Sequence, residues 1–279
     1  MALTASDTSR TVKTPQWHLH YHEAGSGKPL ILLHGSGPGA TGWSNFAGNI
    51  EALSKQFKVY AVDMPGWGQS DACTVDRLDH VEAARQFMDA LGLQKAAFVG
   101  NSMGGHTSMN FAIQHPQRIS HLITMGPPAP LPSIVRPGDG PSEGLKILIQ
   151  AYRDPSPEVM ARLIEIMVFD KKFATPELLK ARSDAAKARP EHLKNYLDGL
   201  PKGAPIPQWL NPTRLHEIAV PTLLIHGRDD RVVHYEGTLQ LLAQIPNSRA
   251  VLLNRCGHWA MIEHPAEFNR LVADFVAHG

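Results

Sequence analysis

Six short apolar runs, separated by stretches of helical periodicity and ending in glycine-rich turns, constrain this chain more than any other feature. They are Pro29 to Leu33, Val59 to Val62, Ala96 to Val99, His121 to Met125, Thr222 to Ile225 and Ala250 to Leu253. Runs without polar alternation mean strands covered on both faces, the pattern of a mostly parallel sheet flanked by helices. The fold class is therefore α/β. A chain of 279 residues, 43% of them hydrophobic, buries a substantial core as one large or two average domains, with no help from disulfides or metals.

Between Gly126 and about Leu210 the strand–helix alternation stops. A proline- and glycine-rich stretch, GPPAPLPSIVRPGDGPSEG, leads into helical stretches at Ala151 to Phe169 and Glu177 to Leu197, and the sheet pattern resumes at Val220. The expected organisation is a core of residues 1–126 and 211–279 with a helical cap inserted at 127–210.

Charge and composition exclude several classes of function. With 27 basic against 26 acidic residues and no basic run, the chain offers no field for nucleic acid or anionic lipid. No stretch approaches the roughly 18 apolar residues of a membrane span, and the opening MALTASDTSR lacks the apolar segment of a secretory signal. Two cysteines, Cys73 and Cys256, make neither a disulfide framework nor a four-ligand zinc site. The expectation is a cytoplasmic protein that binds neither membrane nor nucleic acid.

The strongest chemical signal is Gly100-Asn101-Ser102-Met103-Gly104, directly after the run Ala96 to Val99. This G-x-S-x-G pattern lets a tight strand-to-helix turn hold a strained serine proud of the sheet. A serine hydroxyl needs a base to take its proton and an acid to orient that base. Gly227-Arg228-Asp229-Asp230 and Gly257-His258-Trp259 each follow a later strand, on the same sheet edge as Ser102. The order Ser, Asp, His is that of α/β-hydrolases, with Asp229 and Asp230 both open as the acid. Acyl transfer also needs oxyanion donors, expected from the N–H of Met103 and of Ser36 in His34-Gly35-Ser36-Gly37-Pro38-Gly39.

Two competing patterns are weaker. Gly35-x-Gly37-x-x-Ala40 with Asp63 resembles a dinucleotide fingerprint, but Pro38 and Gly39 disfavour the immediate helix that a pyrophosphate needs. His18, His20 and His22 alternate at strand spacing and could mimic a metal site. Without carboxylates at matching spacing, an ordinary exposed strand face is expected.

Beyond these local patterns, the sequence resembles the meta-cleavage product hydrolases, C–C bond hydrolases of aromatic ring degradation within the α/β-hydrolase superfamily. The segments that carry the resemblance are HGSGPGATGWSNF, DMPGWGQSD, GNSMGG, FDKKFATPELLKAR, GRDDRVV and RCGHWA, spread over nearly the whole chain. The resemblance implies an α/β-hydrolase fold with an inserted helical cap, and a 2-hydroxy-6-oxohexa-2,4-dienoate as small-molecule substrate. It implies Ser102, Asp230 and His258 as the triad, favouring Asp230 over its neighbour, with Ser36 and Met103 as oxyanion donors. It further implies that the cap residue Arg182 binds the dienoate carboxylate, with Asn45, Asn101 and Trp259 around the same end. No metal or organic cofactor is implied, and a homo-oligomer, a dimer or larger, is. An arginine fork suits a carboxylate, although position alone would read Arg182 as a solvated helical residue.

His234 stands where the family usually has proline, and Ile262 departs just before Glu263-His264. Candidate walls for the C6 substituent are Pro127 to Pro141, and Met160, Ile164, Met167 and Val168. Two other functions use the same features: a serine esterase or lactonase on the same triad, and a non-catalytic ligand receptor on a hydrolase fold.

Overall fold

The computed structural model describes residues 3–129, 132–135, 140–200 and 210–279. Expectations resting on 130–131, 136–139 and 201–209, parts of the Pro127 to Pro141 wall and of the insertion, lie outside the described residues. An eight-stranded sheet is formed by β1 (Ser9–Lys13), β2 (His18–Ala24), β3 (Lys28–Leu33), β4 (Phe57–Val62), β5 (Ala96–Asn101), β6 (Ile119–Met125), β7 (Thr222–Gly227) and β8 (Ser248–Leu253). Its spatial order is β1-β2-β4-β3-β5-β6-β7-β8. From β4 onward in that order all neighbours are parallel, whereas β1 and β2 form an antiparallel hairpin on the β4 edge. The six apolar runs coincide with β3 to β8 to within two residues. Burial of β3, β5 and β7 on both faces is the reason, with one apolar cluster on each side of the sheet.

The chain runs from β3 to β4 on one side, then crosses back to place β5 on the other side of β3. The carboxyl ends of β3 and β5 thus border the switch point where such sheets bind ligands. Helices α2 (Gly42–Leu53), α3 (His80–Ala90), α4 (Met103–Gln114), α9 (Glu236–Gln244) and α11 (Pro265–His278) supply the flanking layers, with short α1 (Ala5–Thr8) and α10 (Ala260–Glu263) at loops. No helix among the described residues is long and apolar enough to cross a membrane.

Between β6 and β7 the chain leaves the sheet and forms α5 (Glu143–Arg153), α6 (Pro157–Met167), α7 (Pro176–Ala188) and α8 (Pro190–Gly199). The two long helical stretches read from periodicity are each broken in two. Proline lacks the amide an interior helical position needs, so Pro157 and Pro190 instead open new helices at α6 and α8. Buried residues of this segment, among them Ile147, Leu148, Leu163 and Met167, share one apolar cluster with Met125, Val232 and Trp259 of the sheet layer.

The strand reading of His18 to His22 agrees with β2, but its exposed face does not. His20 and His22 are buried, and only His18 faces outward. His20 Nδ1 donates to Asp63 Oδ2 at 2.8 Å, and Asp63 also accepts the amides of Gly42 (2.7 Å) and Gln69 (3.0 Å). Burial alone would raise Asp63, but the His20 and backbone hydrogen bonds outweigh it and hold the carboxyl below its ordinary value. Saturated in this way and shut off from solvent, Asp63 has no capacity for a ribose, and the first helix after β3 begins only at Gly42. Both facts disagree with a dinucleotide site. Asp63→Ala should lower stability by about 3 kcal/mol, because a buried imidazole and two amides lose their acceptor. Urea denaturation of the variant beside the parent protein measures it.

Candidate active site

Ser102 joins β5 to α4 with φ 51° and ψ −113°, a conformation L-residues rarely adopt. A serine preceding a helix usually turns its hydroxyl back onto the free amides of the first turn. Ser102 makes no such bond, so its hydroxyl and the helix N-terminus both remain available to a ligand. The turn is this tight because its flanking residues lack side chains. A Cβ on Gly100 would lie 2.2 Å from the Gly104 carbonyl oxygen, and one on Gly104 would lie 2.2 Å from that of Leu33.

His258 and Asp230 come from the loops after β8 and β7. The His258 Nδ1–H donates to Asp230 Oδ2 at 2.7 Å. Asp230 accepts three further hydrogen bonds, from the amides of Val232 (2.7 Å) and Val233 (2.9 Å) and from His226 Nε2 (3.1 Å). His226 also faces the Val233 carbonyl through Nε2, at 2.9 Å, which makes that nitrogen the donor; its Nδ1 receives the Thr238 hydroxyl at 2.7 Å. Burial favours the protonated acid, yet the two imidazoles outweigh it and hold Asp230 far below the usual carboxylate range. Asp229 has no contact of this kind with His258. Its carboxylate lies beside Arg228, at 3.8 Å.

His258 also borders a small cavity of about 20 Å³, lined as well by Ser102 and by Leu148 and Met167 of the inserted helices. Arg182 of α7 reaches this cavity with only 3% of its surface exposed. One Nη2–H donates to Asn45 Oδ1 at 3.3 Å, the guanidinium lies 5.0 Å from the centre of the Trp259 ring, and Nε has no partner. Burial pushes the group down to about 10. Asn45 in turn donates to Asn101 Oδ1 (3.1 Å), and Asn101 Nδ2 donates to the carbonyls of Met125 (3.3 Å) and His258 (3.4 Å). A polar chain thus runs from the inserted segment to both sides of the strained serine.

Ser36 borders the same cavity. His34 Nε2 accepts the Met64 amide at 3.0 Å, so its Nδ1–H donates to the Gly35 carbonyl at 2.8 Å. That carbonyl shares a peptide plane with the Ser36 N–H, whose direction His34 therefore sets. Met103 is buried behind Ser102 at the first position of α4. Of the wall candidates, Met167 borders the cavity, while Met160, Ile164 and Val168 are packed in the core. Pro128 and Ala129 line a separate pocket, and the departures His234 and Ile262 do not border the cavity.

Three supporting residues escape a reading of local motifs. His226 is the penultimate residue of β7, inside an apolar strand. Gly126, at φ 52°, is where a Cβ would lie 3.0 Å from the His258 ring and 3.2 Å from Asp230 Oδ2. Glu263 accepts the amides of Gly257 (2.6 Å), Phe169 (2.7 Å) and Asp170 (3.2 Å), tying the histidine loop to the end of the second inserted helix. A glycine just beyond a strand was the only signal any of them offered.

Residues 30–271 match the model of the alpha/beta hydrolase family. The 2-hydroxy-6-oxo-6-phenylhexa-2,4-dienoate hydrolase of Comamonas testosteroni is 41% identical, with 98% of each chain covered. A 2-hydroxy-6-oxononadienedioate/2-hydroxy-6-oxononatrienedioate hydrolase from Cupriavidus pinatubonensis is 42% identical over 99% of this chain and 97% of its own. Among solved structures, a meta-cleavage product hydrolase from Pseudomonas fluorescens superposes with a TM-score of 0.87 at 30% identity, covering 98% of both chains.

Gly126→Ala should displace the imidazole and lower kcat about 100-fold with little change in KM, since small misplacements of a reacting group carry penalties of that order. Steady-state kinetics on folded variant protein, checked by circular dichroism, give the comparison.

Proposed function

We propose that this chain, which belongs to the alpha/beta hydrolase family and within it to the meta-cleavage product hydrolases, works through Ser102, His258 and Asp230. It hydrolyses the C–C bond of a 2-hydroxy-6-oxohexa-2,4-dienoate, giving 2-hydroxypenta-2,4-dienoate and a carboxylic acid. The observation that carries the residue assignment is the buried guanidinium of Arg182, short of partners beside a strained serine and an imidazole–carboxylate pair. A buried charge without a counter-ion is costly, and a carboxylate in the cavity removes that cost. An ester without an acid group would leave it in place, which favours the dienoate over the esterase reading.

In the proposed sequence the dienol first becomes its keto tautomer, protonated at C5. His258 takes the Ser102 proton as the hydroxyl oxygen attacks the C6 carbonyl. The N–H groups of Ser36 and Met103 receive the charge that develops on the C6 oxygen. As the tetrahedral intermediate collapses, the C5–C6 bond breaks and its electron pair flows into the conjugated ketone, giving the five-carbon dienolate. The dienolate oxygen takes the proton from His258, so that 2-hydroxypenta-2,4-dienoate leaves and the imidazole is neutral again. Water, deprotonated by His258, then attacks the acyl group, releasing the acid and returning the proton to Ser102. Asp230 stays ionised throughout, because its low pKa keeps it a partner for imidazolium rather than a proton acceptor. Residues 127–210 act as a cap over the core of 1–126 and 211–279, and must move to admit a dienoate to so small a cavity. The assembly is a cytoplasmic homo-oligomer.

Bleaching of the yellow 6-phenyl and 6-methyl dienoates, beside nitrophenol release from a short-chain ester, tests the reaction. Ser102→Ala should reduce dienoate turnover by about five to six orders of magnitude, as in other serine triads. A loss below about tenfold would remove Ser102 as nucleophile. Fast ester cleavage with no bleaching would restore the esterase reading.

Carboxylate binding has its own pH signature. Arg182 is protonated below about 10 and loses its charge above it. Ser102→Ala protein should bind 6-oxo-6-phenylhexanoate, which has no enol to titrate, with constant affinity from neutral pH upward and weaken as pH rises through that value. Arg182→Gln should bind weakly at every pH. Equal affinity in the two proteins at neutral pH contradicts the carboxylate assignment.

A further inference from the structure

The loop that carries the Ser36 N–H is held from two directions, and only one of them belongs to the core. His34 fixes the peptide plane before Ser36, as described above. The plane after it is fixed by the Ser36 carbonyl, which accepts the hydroxyl of Tyr152, a residue of α5 in the inserted segment, 116 positions away in sequence. Tyr152 is buried and stacked face to face on Tyr196 of α8, with ring centroids 3.7 Å apart and planes within 6°. The Tyr196 ring thus backs the ring whose hydroxyl holds Ser36. Trp67, in the loop after β4, donates its Nε1–H to the Tyr152 oxygen at 3.1 Å. An indole N–H can only donate and a carbonyl can only accept, so the phenol proton has one direction open to it, towards Ser36. Burial raises both phenols well above their ordinary values, and Tyr152 keeps that proton throughout the working range.

We infer that Tyr152 is a positioning residue: through the Ser36 carbonyl it sets the oxyanion loop, and it does so only while the inserted helices are seated on the core. The inference rests on the acyl-transfer reading of Ser102 and Ser36 given above. The planes before and after Ser36 meet at its Cα through two soft dihedrals, so the His34 bond alone leaves the residue free to shift. Anchoring the second plane through the Ser36 carbonyl confines the Cα and holds the N–H where His34 aims it. The arrangement makes the oxyanion loop complete in the closed protein and loose in the open one. A substrate held by Arg182 in α7 thus completes, by closing the segment, the site that attacks it.

Tyr152→Phe removes the hydroxyl and keeps the ring, its stack and its volume. For a group acting through an oxyanion donor, itself worth about 100-fold or more, kcat should fall about tenfold on both the 6-phenyl dienoate and p-nitrophenyl acetate, with KM within about twofold. Phenylboronate, which adds to the serine as a tetrahedral anion, should bind about tenfold more weakly in line with kcat, whereas the ground-state ligand 6-oxo-6-phenylhexanoate should bind unchanged. Unchanged kcat and boronate affinity, or equal weakening of both ligands, would overturn the inference. Trp67→Phe gives the second arm: a smaller loss in the same direction, and a less than additive one when combined with Tyr152→Phe, because the indole N–H acts through the phenol while its ring also packs on His34 and Tyr196. If Tyr152→Phe does not fold, Trp67→Phe alone decides, by weakening the boronate and not the keto acid, or failing to. The ester and boronate readings do not depend on dienoate turnover. A wild-type protein that bleaches no dienoate therefore sinks the proposed reaction and leaves the clamp testable, and the reverse holds when bleaching is fast and Tyr152→Phe is silent.

Discussion

A serine at φ 51° survives only where the surrounding backbone leaves it nowhere else to go. At the Ser102 turn, strands β3 and β5 and helix α4 come so close that a single added Cβ at Gly100 or Gly104 would overlap a carbonyl oxygen. The Ser102 amide is drawn to the Met125 carbonyl at 2.7 Å and its own carbonyl receives the His106 amide at 3.0 Å. Everything else at the site is placed relative to this knot. The loop after β3 lies beside it because β3 neighbours β5, and the Asp230 and His258 loops lie beyond it because β7 and β8 continue the same parallel edge. Glycine recurs at those contacts for the same reason: Gly126 against His258, Gly227 against the Gly257 carbonyl, Gly257 against that of Met167.

Of the charges buried around this knot, Asp63, Asp230 and Arg182 show how compensation separates structure from chemistry. Asp63 and Asp230 are saturated by amides and imidazoles, and neither can take a ligand without losing a bond it already has. Arg182 is the contrast, with one long hydrogen bond to an asparagine, an indole face and an orphaned Nε. A fold that stabilises two carboxylates this thoroughly has the means to pair a guanidinium as well. Leaving it under-satisfied lowers the stability of the free protein and raises its affinity for an anion.

The parallel strands were legible because burial on both faces removes polar alternation, and the placement of Ser102, Asp230 and His258 because each sits in a glycine-marked turn at a strand end. The hairpin strand β1 was not, since SRTVK is half exposed and mostly polar. His20 and His22 lie on a strand, as their spacing indicates, but their burial depends on Asp63, more than forty residues away, and on Thr8. The inserted helices merged into two because hydrophobic periodicity runs on through Pro157 and Pro190, even though proline itself marks the breaks. The helpers His226, Glu263 and Tyr152 act through contacts that only the folded chain creates. A histidine inside an apolar strand and a tyrosine inside an amphipathic helix look like packing until a partner appears.

Those long-range contacts share a direction. Arg182 meets Asn45 across 137 residues, Tyr152 meets Ser36 across 116, and Glu263 meets Phe169 across 94. Each joins the inserted segment to a core residue at the site: Asn45 in the first turn of α2, Ser36 in the loop after β3, and Glu263 in α10, which also holds the Gly257 amide beside His258. An insertion that only covered the sheet edge would need apolar contact, which the shared cluster of Leu148, Met167 and Trp259 already provides. Directional hydrogen bonds add something apolar contact cannot, a dependence of loop geometry on where the helices sit. If substrate enters as in the proposed function, by parting of the helices, the same contacts that align the site are those that its binding breaks and remakes. On the proposed function, the insertion belongs to the catalytic apparatus as much as the sheet does.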